Sequence, residues 1–453
     1  MCQVTSFSQL PMNALFREEG FSCKCGKHHL TDVKEVSVGH GALRQLPELV
    51  RKYGGRKPFL IADRNTYQAA GEKVESLLKE NGMDFVSYIY PQEHLEPDEF
   101  AVGQAAMNFD KSCDFIVAVG SGTINDINKI IAMVTDLPYI IVGTAPSMDG
   151  FASNTSSMIS NGVKVTLQSS CPVAILADLD IVCQAPSKMI QAGLGDMLAK
   201  YISICEWRIS NLINGEYYCE EVASLVRRSL KRCIESIDGL ESRDSQAIES
   251  VIEGLILSGI AMGFAGISRP ASGVEHYFSH IWDMRSLEFQ TNSDLHGIQV
   301  GIGTVLALKV YSQVVGIKPD KAKALEYVEQ FDHEKHNDFL REFLGSSAEN
   351  LILLEMKEGK YDKTMHRDRL DIILTNWQKI LNIIDEELPS VDDIINLLIS
   401  MDAPVDPSAL GFSKEDVRKA FIATKDIRDK YSVSRLLWDL GVLEEVADGL
   451  LQF

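Results

Sequence analysis

Three groups of residues in the 453-residue sequence could do chemistry. The first is Gly120-Ser121-Gly122-Thr123-Ile124-Asn125-Asp126, directly after the apolar run 115–119. Glycines at a strand-to-helix turn let backbone N–H groups approach a phosphate, and the positive end of the next helix then holds the anion. The G-x-G-x-x-x-D spacing lacks the third glycine of the dinucleotide fingerprint, so a tight turn that binds nothing stays open as the alternative. The second group is Gly143-Thr144-Ala145-Pro146-Ser147-Met148-Asp149-Gly150-Phe151-Ala152-Ser153, after the apolar run 139–142. Ligands of open α/β sheets collect at the carboxyl ends of strands. There Thr144, Ser147 and Ser153 offer hydroxyls, and Asp149 offers a carboxylate for a substrate hydroxyl. The competing reading is turn chemistry, which the same residue types favour. Asp63 closes another apolar run, where an acidic residue either meets ribose hydroxyls or caps a helix.

The third group could ligate a metal. His276 and His280 stand four apart, so on a helix both imidazoles project from one face. His296 precedes Gly297 at the start of a further helical run. Asp196 is a carboxylate in an otherwise apolar, glycine-flanked helix, a costly placement unless it is paired or bound to a cation. Two imidazoles and one carboxylate leave an open position on a divalent ion, the arrangement of a catalytic site. The spacing is not a compact motif, and a partly buried polar face is the alternative. Cys23-Lys24-Cys25-Gly26-Lys27-His28-His29 also has metal-ligand residue types. Two cysteines one residue apart chelate poorly and no second pair follows, so a solvent-facing turn is the expectation.

These residues need elements to position them. Apolar runs without alternation at 58–63, 85–90, 115–119, 139–142 and 173–176, separated by helical patterns, indicate a parallel sheet covered on both faces. Asn161-Gly162 between 157–159 and 163–165 signals a hairpin. From Pro186 onward the spacing is helical, at 189–212, 223–237, 248–264, 301–315 and 391–401, and strand signals nearly vanish. The expected organisation is an α/β domain over 1–185 that carries a parallel nucleotide-binding sheet, then an all-α domain over 186–453. The charged segment 340–400 reads as helical and peripheral.

Composition limits the partners. Hydrophobic residues make up 45% and charged residues 24%, the balance of a folded globular chain rather than a disordered one. The net charge of −20, from 44 basic and 64 acidic side chains, argues against nucleic acid as a partner. No apolar run is read as reaching the roughly 18 residues of a membrane helix, the longest candidates at 115–120 and 139–142 being strand-sized, and no basic leader with an apolar stretch is readable at the start. Nine scattered cysteines fit reduced thiols better than a disulfide framework. A cytoplasmic enzyme without membrane partners is the expectation.

The combination resembles the superfamily of iron-type alcohol dehydrogenases and glycerol dehydrogenases, which also contains dehydroquinate synthase. The resemblance rests on 120–126, Thr144-Ala145-Pro146-Ser147-Met148-Asp149-Gly150, Gly195-Asp196, Glu275-His276-Tyr277-Phe278-Ser279-His280 and His296-Gly297-Ile298-Gln299-Val300-Gly301. Their order and separations match over about 35–330, and 427–431 looks like the family's C-terminal helix. The Thr-Ala-Pro-Ser-Met-Asp-Gly run points to the branch that acts on glycerol 1-phosphate. The resemblance implies a dehydroquinate synthase-like fold. It also implies that Gly120, Gly122, Thr123, Asn125, Asp126, Thr144, Ser147 and Ser153 hold NAD or NADP, with Asp63 on the adenosine ribose. Asp149 and His280 would touch substrate, and Asp196, His276 and His296 would ligate one divalent ion, with zinc or nickel ahead of iron. Asp149, Asp196 and His280 would form the catalytic set. The implied reaction is reversible reduction of dihydroxyacetone phosphate, a small phosphorylated ketone, by a homo-oligomer. Lys164, Lys200 and Arg269 are candidates for the substrate phosphate. A glycerol dehydrogenase, a dehydroquinate-synthase-like cyclase and a nucleotide- or metal-binding regulatory protein are the competing readings. The cyclase usually carries a glutamate where Asp196 stands.

Overall fold

Apolar segments too short for helices become strands when both faces can be covered. The computed structural model describes residues 6–161 and 163–452. Its strands are β1 (Phe21–Ser22), β2 (His28–His29), β3 (Glu35–Gly39), β4 (Pro58–Asp63), β5 (Val86–Tyr90), β6 (Phe115–Gly120), β7 (Tyr139–Gly143), β8 (Thr155–Ser160), β9 (Val163–Gln168) and β10 (Ala174–Asp178). Six of them form one parallel sheet in the order β3-β10-β7-β6-β4-β5. Every residue of β6, β7 and β10 is buried, which is why these runs show no alternation. Leu46, Leu60, Val117, Val119 and Leu176 belong to one continuous core on the sheet. The edge strand β3 has no fully buried position and gave no sequence signal.

From β4 the chain steps outward to β5, then returns to the other side of β4 for β6. That reversal leaves a crevice at the carboxyl ends of β4 and β6, where α/β sheets bind ligands. Ala62 pairs with Val119 and Gly120 with Gly143, so Asp63, Ser121 and Thr144 all leave the sheet at one edge. The β8–β9 hairpin forms as expected, with Asn161 at φ 51°. Gly162 of that turn lies outside the described residues.

By compactness the chain divides into two units. One holds the residues up to 197 with 219–268, and the other holds 198–218 with 269–453. The last strand ends at Asp178, ahead of the expected boundary at 185, but helices Glu220–Glu235 and Ser245–Ala265 cluster with the sheet unit. Helix Ser245–Ala265 is long and apolar enough to cross a membrane, with mean hydropathy 1.6 in its best window. Of that window 78% is buried, so it is the core helix of its unit. Its serines, glycines and glutamates interrupt the apolar run, which is why uninterrupted length alone did not mark it.

The second unit is helical, with no strand among the described residues. The run expected as one helix over 189–212 is two, Ser187–Leu198 and Lys200–Asn214. The segment 340–400 is helical, as expected. The supposed C-terminal helix over 427–431 is instead a series of turns and bends. Side chains from elsewhere take its carbonyls: Lys360 Nζ donates to the carbonyls of Asp426 and Arg428 at 3.1 and 2.6 Å, and Arg269 donates to that of Tyr431 at 2.9 Å. Within the turn, Asp426 accepts from His336, Lys425 and Tyr361; burial would raise its carboxyl, but the Lys425 ammonium beside it outweighs that and holds it well below the usual range.

Leu60 is fully buried in the sheet core. Leu60→Ala should lower unfolding stability by about 2–5 kcal/mol, read as an earlier denaturation midpoint. A shift under about 0.5 kcal/mol would contradict a close-packed core at that strand.

Candidate active site

The helix Gly122–Thr135 starts at the crevice without a side-chain cap. The residue before it, Ser121, points its hydroxyl elsewhere. Ser121 Oγ lies 2.7 Å from Ser147 Oγ and donates to the Ala145 carbonyl at 3.1 Å. Locking the two glycine-bearing loops together in this way leaves the helix's first N–H groups to an anion rather than to a cap. The Thr144 N–H donates to the Gly120 carbonyl, continuing the strand pairing into the loops.

Lys129, two turns into the same helix, is fully buried. Its ammonium donates to the Gly150 and Thr155 carbonyls at 2.6 and 2.9 Å, to Ser153 Oγ at 2.9 Å and to Asp126 Oδ1 at 3.3 Å. It therefore gathers the loop 150–155 onto the helix. Burial pushes the Asp126 carboxyl up, against the pull of Lys129. Asn125 is structural as well, since its amide donates to the Gly150 carbonyl and its oxygen accepts from Tyr139 OH. Sequence reading missed Lys129. The available signal was a lysine three residues after Asp126 on an apolar helix. Asp63 caps its own helix, with Oδ1 accepting the Thr66 N–H at 2.8 Å and the Asp63 N–H donating to Thr66 Oγ1 at 3.0 Å.

The loop after β7 meets the helix Ser187–Leu198 through backbone. A Cβ at Gly193 would overlap the Pro146 carbonyl oxygen, so only glycine allows the approach. One turn further on, the fully buried Asp196 accepts the Asp149 N–H on Oδ2 at 2.9 Å. Asp149 itself is 8% exposed, and its Oδ2 accepts from Ser258 Oγ at 2.8 Å. Sequence reading had given Ser258 no role.

In the helical unit, His276 and His280 lie on helix Val274–Phe289 and His296 opens helix His296–Val314. A Cβ at Gly303 would overlap the Glu275 carbonyl oxygen, so these helices also approach at backbone distance. The His276 and His296 ring centroids lie 5.1 Å apart, and His280 and His296 6.4 Å apart. His276 Nδ1 is 2.8 Å from Glu275 Oε1. His296 Nδ1 is 3.2 Å from Ser279 Oγ, which donates its own proton to Gln299 Oε1 at 2.7 Å and so accepts from the ring. Both contacts place the ring proton on Nδ1 and the lone pair on Nε2, as a metal ligand needs. Burial raises Glu275 to about 7 and Glu206 to about 8, the latter also through the Glu275 charge.

Of the phosphate candidates, Arg269 is engaged by Glu216, Ser210 and the Tyr431 carbonyl and is buried. Lys200 is buried and donates to the Ala271 carbonyl at 3.2 Å. Lys164 lies half-buried on β9. The Cys23–His29 segment departs from the expected solvent-facing turn, because His29 is fully buried while His28 is exposed.

Comparison with known proteins places this geometry. The family model described as iron-containing alcohol dehydrogenase matches residues 37–186. A glycerol-1-phosphate dehydrogenase [NAD(P)+] of Halalkalibacterium halodurans is 36% identical over 400 residues, covering 87% of this chain and 90% of that one. A protein of the same name from Bacillus licheniformis is 37% identical over 299 residues, covering 65% and 75%. The crystal structure of glycerol dehydrogenase from Schizosaccharomyces pombe shares the fold, with a TM-score of 0.59 at 17% identity over 93% of this chain and 91% of that one. The chain belongs to the iron-containing alcohol dehydrogenase superfamily and, within it, to the glycerol-1-phosphate dehydrogenase family.

Gly193→Ala should displace the loop 144–149 and weaken NADH binding at least about 10-fold, the cost of misplacing positioned groups. Fluorescence titration of NADH checks it, with circular dichroism confirming that the helices survive. Unchanged affinity would mean that the loop does not depend on this contact.

Proposed function

We propose that the protein catalyses the reversible, metal-dependent reduction of dihydroxyacetone phosphate by NAD(P)H to sn-glycerol 1-phosphate. Family membership supports the reaction class. The observation that carries the site reading is the pair of imidazoles, His276 and His296, whose Nδ1 protons are committed to Glu275 and Ser279. Asp196, the carboxylate of the proposed ligand set, is buried, as is His276, and His296 is half-buried. That set suits zinc or nickel, and also iron, and leaves positions open.

When bound, the ion supplies Lewis acidity toward a carbonyl oxygen, and NAD(P)H supplies hydride. The residues of this chain do the rest. The first N–H groups of helix Gly122–Thr135 bind the cofactor's diphosphate, beside Gly120, Gly122 and Thr123, with Thr144, Ser147 and Ser153 lining the loops. Asn125 and Asp126 act through the loop that they and Lys129 hold. Asp63 accepts from the adenosine ribose while it caps its helix. The Asp149 carboxylate, fixed by Ser258, orients a substrate hydroxyl. His280, one turn from His276, donates the proton that the reduced oxygen takes up. In this reading residues 1–185 hold the cofactor and contribute Asp149, and 186–453 supply the metal ligands and the other substrate groups. We further propose a cytoplasmic homo-oligomer that binds neither nucleic acid nor membrane.

The decisive experiment follows NADH and NADPH absorbance with dihydroxyacetone phosphate, before and after chelation and metal add-back. Net oxidation that stops on chelation and returns with the ion is expected. Cofactor recycling without net turnover would move the assignment to a cyclase, and turnover of glycerol but not its phosphate to a glycerol dehydrogenase. Asp196→Ala, His276→Ala and His296→Ala should each lose the ion and at least about a thousandfold of activity together, the scale of removing a charge-stabilising group. Full activity with retained metal would remove the proposed ligands.

A further inference from the structure

A set of soft donors lies in the sheet unit, on residues that the proposed reaction does not use. β1 and β2 form a hairpin whose turn carries Cys23 and Cys25, and β2 ends on His29. The turn is tight: the Cys23 N–H donates to the Lys27 carbonyl and the Gly26 N–H to the Cys23 carbonyl, both at 3.1 Å, with Gly26 at φ 88°. Cys219, almost 200 residues later, precedes helix Glu220–Glu235 and turns its sulfur to the same point. Cys23 Sγ lies 3.7 Å from Cys219 Sγ. His29 Nε2 lies 3.4 Å from Cys25 Sγ and 3.5 Å from Cys219 Sγ. One ligand atom from each of the four residues falls within 4.8 Å of all the others.

We propose that Cys23, Cys25, His29 and Cys219 hold a structural divalent metal ion, zinc by the chemistry of the donors. A tetrahedron with Zn–S of about 2.3 Å and Zn–N of about 2.0–2.1 Å has S···S edges of about 3.8 Å and S···N edges of about 3.5 Å. The Cys23–Cys219, Cys25–His29 and Cys219–His29 separations match those edges, and the remaining ones lie within 4.8 Å. The 3.7 Å between sulfurs is far beyond the roughly 2.05 Å of a disulfide. His29 is oriented for the task, because Nδ1 donates to the Phe264 carbonyl at 2.7 Å and the lone pair is on Nε2. The rings of Phe7, Phe21 and Phe264 pack around this end of the hairpin. Four protein donors close the coordination sphere, which makes the site structural rather than catalytic.

Thiols gathered in this way resist ionising alone. Burial pushes Cys219 up to about 12 and raises Cys23, while it lowers His29 and keeps the imidazole neutral. A dication reverses the balance for the thiols: binding displaces their protons to solvent, and three thiolates and a neutral imidazole complete the sphere. The ion would tie the N-terminal hairpin to the start of one helix and, through His29 and Phe264, to the end of helix Ser245–Ala265.

The test uses the full-length chain in a His296→Ala background, so that the proposed catalytic ion does not contribute. One zinc per chain should remain by elemental analysis. Adding Cys25→Ser or Cys23→Ser should remove it. Both residues are half-exposed, so these variants avoid the risk that Cys219→Ser fails to fold. Cobalt substituted for zinc should show sulfur-to-cobalt charge-transfer absorption that both variants weaken. Stripping the ion should open Lys24 and Lys27 to trypsin. Zinc content unchanged in the cysteine variants, absence of both zinc and the cobalt–thiolate band, or a Cys23–Cys219 disulfide in protein purified without air would each overturn the proposal.

Discussion

A carboxylate buried in a protein interior costs several kcal/mol unless its charge is answered, and the sheet unit is arranged around one such group. Asp196 is fully buried and accepts the backbone N–H of Asp149. The helix that carries it reaches the loop after β7 only because Gly193 has no side chain. That contact joins the loop's Thr144 and Ser147 to the proposed ligand one turn away. Ser258 then fixes the Asp149 side chain from the buried helix Ser245–Ala265. The loop, Asp196 and the Asp149 carboxylate are thus held by one run of backbone approach and hydrogen bonds.

The same economy governs the histidines. An imidazole can ligate only through the nitrogen that lacks a proton, so the contact on the other nitrogen sets its function. Glu275 does this for His276, and the Ser279–Gln299 pair does it for His296. These partners come from the two helices that Gly303 allows into close approach. His29 repeats the device in the other unit, with the Phe264 carbonyl as its partner. Other buried cations are engaged by backbone carbonyls: Lys129 gathers the loop 150–155, and Lys360 and Arg269 hold the turn around 426–431.

Much of the fold was legible because it follows local periodicity. The five strands 58–63, 85–90, 115–119, 139–142 and 173–176, the Asn161 hairpin and the helical second half all come from patterns that a short window contains. The residues on the loops after β6 and β7 stood out because glycine, serine and aspartate gather at the carboxyl ends of two neighbouring strands, although the same types also make turns and caps. Edge strand β3 was not legible, since half-buried positions blur the alternation. Nor was the 425–432 turn, whose helical spacing gives way to cations from distant elements that compete for its carbonyls.

By itself, the sequence determined the fold class and the order of the two glycine-bearing loops, because each depends on neighbours within a few residues, whereas the candidate ligands came from a resemblance spread over about 35–330. Tertiary structure alone decided which backbone atoms meet at Gly193, which proton each histidine keeps and that Cys219 joins Cys23, Cys25 and His29. Those outcomes depend on segments up to two hundred residues apart being packed to within a hydrogen bond, and no local pattern encodes such a distance.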